Sequence, residues 1–150
     1  MGLDTTHNAW HGSYSSFNNW RTWIASKIGI PLKLMDGFYC EGEAGLDPFL
    51  ALEYMFPDKD DMAMYGLREL KKQFPLKWEA FKPSKLHTLL NHSDCDGEIS
   101  WEDCKGIHRE LMKIINSKPD DMDEYLLTRT KEFADGCWKA YRRKETLRFH

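Results

Sequence analysis

Near both ends of the chain, hydrophobic residues recur every three or four positions, which is the period of an amphipathic helix. The apolar face of the first predicted helix, over residues 15–27, consists of Phe17, Trp20, Ile24 and Ile28. Serines before this stretch can cap the helix start, and Gly29 followed by Pro31 ends it.

The C-terminal half shows the same period more clearly. The apolar face of the helix predicted over residues 100–116 consists of Trp101, Cys104, Ile107, Leu111, Ile114 and Ile115. A longer helix is predicted from Pro119 to Tyr141, with acidic residues at its start and Arg142 and Arg143 at its end, where each charge suits the helix dipole. The final residues, "TLRFH", alternate between apolar and polar, which predicts a terminal strand that could pair with the opening "GLDTTH".

Residues 30–83 carry weaker signals. The stretch "PLKLMDGFYCEGE" predicts either a hairpin or a loop, and "LDPFLALEYMF" predicts a short helix that Asp47 caps and Pro57 ends. An acidic loop and another short helix follow. The patterns together predict a mainly α fold: a compact, single-domain helical protein over residues 1–150, with a small β element joining the two chain ends.

Composition and charge narrow the range of partners. Of the 150 residues, 41% are hydrophobic, so the chain can bury a core. A formal charge of -3 disfavours a protein that neutralises the phosphates of an extended nucleic acid. Because no apolar run is long enough to span a bilayer and no signal peptide opens the chain, we expect a cytoplasmic protein without a membrane partner. The cysteines form no CxxC pair, so we expect reduced thiols.

The acidic loop at residues 92–103 resembles the calcium loop of an EF-hand. Its candidate metal ligands are His92, Asp94, Asp96 and Asp103. Gly97, at the sixth position, permits the sharp turn that such a loop needs. His92 stands where the first Asp is expected, and Asp103 stands where Glu would supply two oxygens, so manganese, iron or zinc fits better than calcium.

The same loop has a simpler interpretation. The run "DCDG" is typical of a turn, and Ser100 followed by Asp103 imitates a capping box at the start of a helix. The sequence favours this turn and cap over a bound divalent metal ion.

A second cluster of polar and aromatic residues lies at the N-terminus. Aromatic faces that stack a ring, amides and imidazoles that meet its edge, and arginines that meet a phosphate are the groups that a nucleotide-like ligand needs. The ligand-binding residues predicted on this basis are His7, Asn8, Trp10, His11, Tyr14, Arg21, Arg148 and His150. The plain alternative is that the two N-terminal histidines are ordinary polar loop residues.

Three stretches, "MGLDTTHNAWHGSYSSF", "HSDCDGEISWEDCKGI" and "FADGCWKAYRRKETLRFH", resemble a family of small uncharacterised proteins from bacterial and phage genomes. Relatives in that family often carry Asp where this chain has Asn8, so an N-terminal metal site would lack one acidic ligand here. The resemblance implies a setting in a bacterial or phage-infected cell, where a small protein could sequester a host signalling nucleotide or block a host protein.

The predicted function is that of a small-molecule-binding protein whose ligand is nucleotide-like and carries a phosphate. The predicted roles are stacking by Trp10 and Tyr14, edge recognition by His7, Asn8 and His11, and phosphate contact by Arg21 and Arg148. Because the chain carries no GxSxG elbow, Walker loop or GxGxxG fingerprint, binding is favoured over catalysis.

Two alternatives and one question remain open at this point. In the first alternative, His92, Asp94 and Asp96 hold a divalent ion that activates water in a phosphoester hydrolase. In the second, exposed aromatic residues make the protein an interaction module that inhibits a host protein. The sequence leaves the question of a homo-oligomer open.

Overall fold

A computed structural model describes residues 2–29 and 84–150 of the chain. Within these ranges the helices, in chain order, are α1 (Tyr14–Lys27), the single-turn α2 (His87–Leu90), α3 (Trp101–Ser117) and α4 (Glu124–Arg143). The strands are β1 (Gly2–Asp4), β2 (His11–Ser13), β3 (Gly97–Ile99) and β4 (Leu147–Phe149), and a 3-10 turn covers Thr6–Asn8. The predicted mainly α fold with a small β element is confirmed, and the elements predicted between residues 30 and 83 lie outside the described residues.

Each long helix begins after a residue whose side chain caps it. Ser13 caps α1, Ser100 caps α3 and Asp123 caps α4, each accepting a hydrogen bond from the backbone N–H three residues later. Such a cap satisfies one of the N–H groups that the first turn of a helix leaves unpaired. The helix α4 therefore begins at Glu124 rather than at the predicted Pro119.

Each end of the chain lies in a short antiparallel strand pair, and backbone hydrogen bonds join the two pairs. Strand β1 pairs with β2, and the C-terminal β4 pairs with β3. Asp4 and His150 exchange two backbone hydrogen bonds of 2.8 Å, and Thr5 forms a bridge with Phe149. The predicted terminal strand and its link to the opening residues are confirmed, although its full partner is β3, which directly precedes α3.

The core has an aromatic centre to which both ends of the chain contribute. Its rings are at most 4% exposed and belong to Trp10, Phe17, Trp20, Phe133 and Phe149. Neighbouring ring centroids lie 5.0 to 6.5 Å apart, in the range where aromatic pairs attract. The indole N–H of Trp20 donates to Thr130 Oγ1 at 3.0 Å, so this buried polar atom has a partner.

The helix α4 approaches the N-terminal segment closely at Gly136. An ideal Cβ on Gly136 would lie 2.6 Å from the Cα of Ala9 and 3.0 Å from its backbone N. Only glycine allows the helix to come this near to the backbone of Ala9, because any side chain would overlap it.

We expect Gly136→Ala to lower the free energy of unfolding by about 1–3 kcal/mol, because overpacking outweighs the gain in helix propensity. Gly106→Ala is the comparison: its Cβ would meet Lys85 Cγ at 2.8 Å and Lys85 Cβ at 2.9 Å, which are side-chain atoms of an exposed residue and not backbone atoms. Urea unfolding of both variants should show that Gly136→Ala lowers the free energy of unfolding more than Gly106→Ala does. Equal losses would contradict the close approach to Ala9.

Candidate functional site

Arg21 lies inside the protein and not at a ligand surface. Its side chain is fully buried, and its guanidinium donates to the carbonyl oxygens of Leu89 at 3.2 Å and His92 at 2.5 Å, as well as to Asn18 Oδ1. The guanidinium carbon also lies 4.7 Å from the centre of the Phe17 ring. The predicted phosphate contact of Arg21 is therefore wrong: this buried cation ties α1 to the segment between α2 and β3.

The acidic loop at residues 92–103 is built as a turn followed by a helix cap. Asp94 accepts a hydrogen bond of 2.7 Å from Asn18 Nδ2, Gly97 adopts a φ of 101°, and Ser100 caps α3. His92 stacks on Phe149 with ring centroids 4.1 Å apart. Its Nδ1 lies 2.8 Å from the Ser93 carbonyl oxygen and its Nε2 lies 3.3 Å from that of Glu98, so the backbone surrounds both ring nitrogens.

The structure does not bring the candidate metal ligands of this loop together around a common point. Within residues 2–29 and 84–150, no group of three or more His, Cys, Asp or Glu side chains is arranged to hold a metal ion. The predicted ligands were His92, Asp94, Asp96 and Asp103. In this structure Asp94 contacts Asn18, His92 packs on Phe149, and Asp103 lies in the first turn of α3. The predicted turn and helix cap are both observed.

Trp10 belongs to the aromatic core. Its side chain is 2% exposed, with ring centroids 5.1 Å from Phe17 and 5.3 Å from Trp20, and the guanidinium carbon of Arg129 lies 5.0 Å from the ring centre. A ligand cannot stack on so deeply buried a ring, so the predicted stacking role of Trp10 is wrong. Tyr14, the other predicted stacking residue, is half-buried and packs against the core.

The indole nitrogen of Trp10 is nevertheless unusual. Trp10 Nε1 is buried and has no hydrogen-bond partner among the described residues. Leaving a buried donor unsatisfied costs about 1–3 kcal/mol, and such donors are rare in folded proteins. Trp10 Nε1 is therefore an unsatisfied hydrogen-bond donor close to the place where the chain ends meet.

Two depressions open on the surface where the chain ends meet. The first, here called the arginine depression, has a volume of about 620 Å³, and its lining includes His7, Asn8, Arg143, Glu145 and Arg148. The second, the histidine depression, has a volume of about 510 Å³, and its lining includes Asn8, Trp10, His11, Arg129, Glu132 and His150. Asn8 borders both, so the two depressions adjoin.

The wall of the arginine depression is held by Thr6 and His7. Thr6 Oγ1 accepts the backbone N–H of Arg148 at 2.9 Å and contacts His7 Nδ1 at 3.0 Å, while His7 Nε2 lies 2.6 Å from Glu145 Oε2. His7 and Asn8 have φ values of 61° and 54°, a left-handed conformation that costs residues other than glycine about 1 kcal/mol or more each. Since the His7 side chain is only 5% exposed, it orients Glu145 and leaves the surface contacts to Asn8 and the arginines.

The histidine depression is rich in charged and titratable groups that pair with one another. His11 Nδ1 contacts Asp4 Oδ1, and Arg129 Nη1 donates to Glu132 Oε2 at 3.2 Å. His150, the last residue, lies at the same wall because of its backbone bonds to Asp4. Two carboxylates, of Asp4 and Glu132, and one guanidinium, of Arg129, line this depression, whereas two guanidinium groups and one carboxylate line the arginine depression.

The chain ends thus bring together most of the predicted ligand-binding residues, in two groups. His7, Asn8 and Arg148 border the arginine depression, and Asn8, Trp10, His11 and His150 border the histidine depression. The sequence prediction missed Arg129, which lies on α4 four residues before the buried Phe133. That helical spacing places Arg129 at the edge of the apolar face and is the one signal that could have revealed it.

The fold and the site together define a mainly α protein with two adjoining polar depressions at its joined chain ends. Among the described residues, no helix is both long and apolar enough to cross a membrane. No protein-family model matches the chain, and no curated protein or solved structure matches it either. The resemblance to small bacterial and phage proteins therefore stays a prediction.

Arg21→Met should lower the free energy of unfolding by about 2–4 kcal/mol, because it removes charged hydrogen bonds to buried carbonyl groups. Arg109→Met, at an exposed position on α3, should change it by less than about 0.5 kcal/mol. Denaturant unfolding measures both variants. If Arg21→Met leaves the free energy of unfolding almost unchanged, Arg21 does not hold α1 to the segment between α2 and β3.

Burial lowers the pKa of His92 below its ordinary value of 6.5, an effect that the backbone carbonyls of Ser93 and Glu98 oppose. As the pH falls through about 6.5, the unfolded chain takes up this proton before the folded protein does, so stability decreases. His92→Gln should therefore lose less stability than the parent between about pH 7.5 and pH 5.5. The free energy of unfolding at both pH values gives the comparison, and equal losses in the two proteins would refute the assignment.

Proposed function

We propose that this protein binds a small, phosphate-bearing, nucleotide-like ligand on the surface where its chain ends meet. The observation that carries the proposal is the charge of the arginine depression. Two exposed arginines, Arg143 and Arg148, border it together with a single carboxylate, Glu145, whose Oε2 already contacts His7. Because that carboxylate is engaged, both guanidinium groups remain available to an anion, and arginines bind phosphate oxygens in paired, charge-assisted hydrogen bonds.

The two arginines come from separate elements, and this gives the depression a defined shape. Arg143 ends α4, and Arg148 lies in β4 with its backbone N–H fixed by Thr6 Oγ1. The C-cap Lys144 between them has a φ of 53°, which turns the chain out of α4 before it enters β4. A site built on helix and strand ends holds its charged groups with less loss of entropy than a flexible loop does.

The neighbouring histidine depression supports a nucleotide-like ligand over a bare phosphate. It adds the imidazoles of His11 and His150 and the amide of Asn8, which can meet the edge of a ring. Each depression has a volume within the usual range for small-molecule sites, about 300–1,000 Å³. Asn8, which borders both, would contact the part of the ligand that joins phosphate to ring. Sequestration of a host signalling nucleotide is the use that the resemblance to phage proteins implies.

Arg143→Ala and Arg148→Ala should each weaken binding of a nucleotide about tenfold or more, because each removes a charge-assisted contact to phosphate. Isothermal titration against a panel of linear and cyclic nucleotides measures the affinities, and native mass spectrometry of the freshly purified protein selects ligands for the panel.

Arg142→Ala is the matched control for this experiment. Arg142 lies next to Arg143 on α4, but its guanidinium carbon is 5.9 Å from the ring centre of Trp138, and it does not line the depression. Its removal should leave the affinity unchanged. The proposal fails if no nucleotide binds, or if all three substitutions weaken binding equally.

A second candidate function, protein interaction, has its own observation. Trp138 on α4 is 39% exposed and borders a groove of about 470 Å³ with Met112 of α3, where Lys105, Arg109 and Lys113 also lie. An apolar floor beside lysines and arginines fits an acidic segment of a partner protein. In that case Trp138→Ala would abolish capture of the partner, and Arg148→Ala would preserve it.

A further inference from the structure

A small niche beside Gly12 is bordered by polar atoms from three parts of the chain. An ideal Cβ on Gly12 would lie 3.3 Å from Ser16 Oγ, 3.4 Å from Trp10 Nε1 and 3.9 Å from Arg129 Nη2. Because glycine has no side chain, these three atoms lie close together around its α-carbon, and the region that they border is here called the Gly12 niche. Trp10 and Arg129 also line the histidine depression, so the niche adjoins it.

Trp10 Nε1 is the fixed donor of the niche. The ring cannot turn to find another partner, because Phe17 and Trp20 pack against it in the core. Its N–H is buried without a partner among the described residues, and an indole nitrogen donates a hydrogen bond but does not accept one. The group that completes this site must therefore be an acceptor.

Arg129 supplies a charged donor to the same niche. Its Nη1 donates to Glu132 Oε2 at 3.2 Å, which leaves Nη2 on the side of Gly12. Ser16 contributes a hydroxyl that in this structure donates to the Ser13 carbonyl oxygen at 2.9 Å. The Glu132 carboxylate is thus paired with Arg129. Of the three polar atoms beside Gly12, Trp10 Nε1 and Arg129 Nη2 are donors, whereas Ser16 Oγ has already donated its hydrogen.

We infer that the Gly12 niche is a subsite for one acceptor oxygen of a small molecule, bound by Trp10 Nε1 and Arg129 Nη2. The acceptor is a phosphoryl oxygen or the carbonyl oxygen of a ring, since both offer lone pairs and no competing hydrogen. Because Trp10 Nε1 is buried and the Arg129 guanidinium lies over the Trp10 ring, the Arg129 side chain shifts when the oxygen enters. The class of ligand rests on the proposed function. This inference adds a contact for the end of that ligand farther from the arginine depression.

Nuclear magnetic resonance of the indole groups tests the inference directly. The chain has 6 tryptophans, so a ¹H–¹⁵N spectrum of the full protein contains one indole signal for each, and Trp10→Phe and Trp138→Phe identify two of them. Inorganic phosphate and uridine, a nucleoside with ring carbonyls and no phosphate, are the two probes. The Trp10 signal should move downfield and saturate with at least one probe, while the Trp138 signal stays in place. Movement with phosphate assigns a phosphoryl oxygen, movement with uridine assigns a carbonyl oxygen, and no movement with either overturns the inference.

The role of Arg129 has a matched pair of variants. Arg129→Met keeps the aliphatic cover over Trp10 but removes the guanidinium, and should raise the probe concentration at the midpoint of the shift about tenfold. Arg142→Met, which removes the guanidinium beside Trp138, should leave that midpoint unchanged. An unchanged midpoint in Arg129→Met would exclude Arg129 from the subsite.

The two proposals fail in distinguishable ways. If the Trp10 signal does not move and nucleotide binding depends on Arg148, the inferred subsite is refuted and the proposed function is retained. If the Trp10 signal moves with a probe but no nucleotide binds, the inferred subsite is retained and the proposed function is refuted.

Discussion

The antiparallel contact between the two ends of the chain is the constraint on which the candidate site depends. The paired backbone bonds of Asp4 and His150 place the last residue beside the first strand, and Thr6 Oγ1 then reaches the N–H of Arg148. Both depressions have walls from residues that are more than a hundred positions apart in the sequence. Contacts of such long range are entropically costly to form, so the site exists only once the core has closed. Its geometry is a property of the whole fold and not of either end alone.

The closure is stabilised by the aromatic centre of the core, and this explains why binding groups and core groups occur side by side. Phe149 of β4 packs against Phe17 of α1 and Phe133 of α4, and its other neighbour is the ring of His92. Alternation along β4 then requires Arg148, between the buried Leu147 and Phe149, to face the surface. The same packing that buries the strand therefore delivers a guanidinium to the arginine depression. The burial of Phe149 and the exposure of Arg148 therefore both follow from the position of β4.

The sequence predicts the regular elements well because period and capping are local properties. Tyr14–Lys27 and Trp101–Ser117 lie within one residue of the helices that the apolar spacing indicates, since Ser13 and Ser100 mark where each begins. The environment of a polar or aromatic side chain is not local. Nothing in the sequence shows that the carbonyls of Leu89 and His92 converge on Arg21, or that Arg129 lies over Trp10. The spacing of the acidic loop likewise predicts the turn and the cap, which are local, but does not show whether oxygen ligands converge in space.

The different charges of the two depressions constrain the ligand more than either depression does alone. In the arginine depression, positive charge exceeds negative charge, whereas in the histidine depression Arg129 pairs with Glu132 and Asp4 pairs with His11. A molecule with an anion at each end would place one of them beside the Asp4 and Glu132 carboxylates, at an electrostatic cost. A molecule with an anion at one end and an uncharged, acceptor-bearing ring at the other matches both regions at once. This asymmetry, together with the unsatisfied donor of Trp10, favours a nucleoside phosphate over either inorganic phosphate or a symmetric dianion.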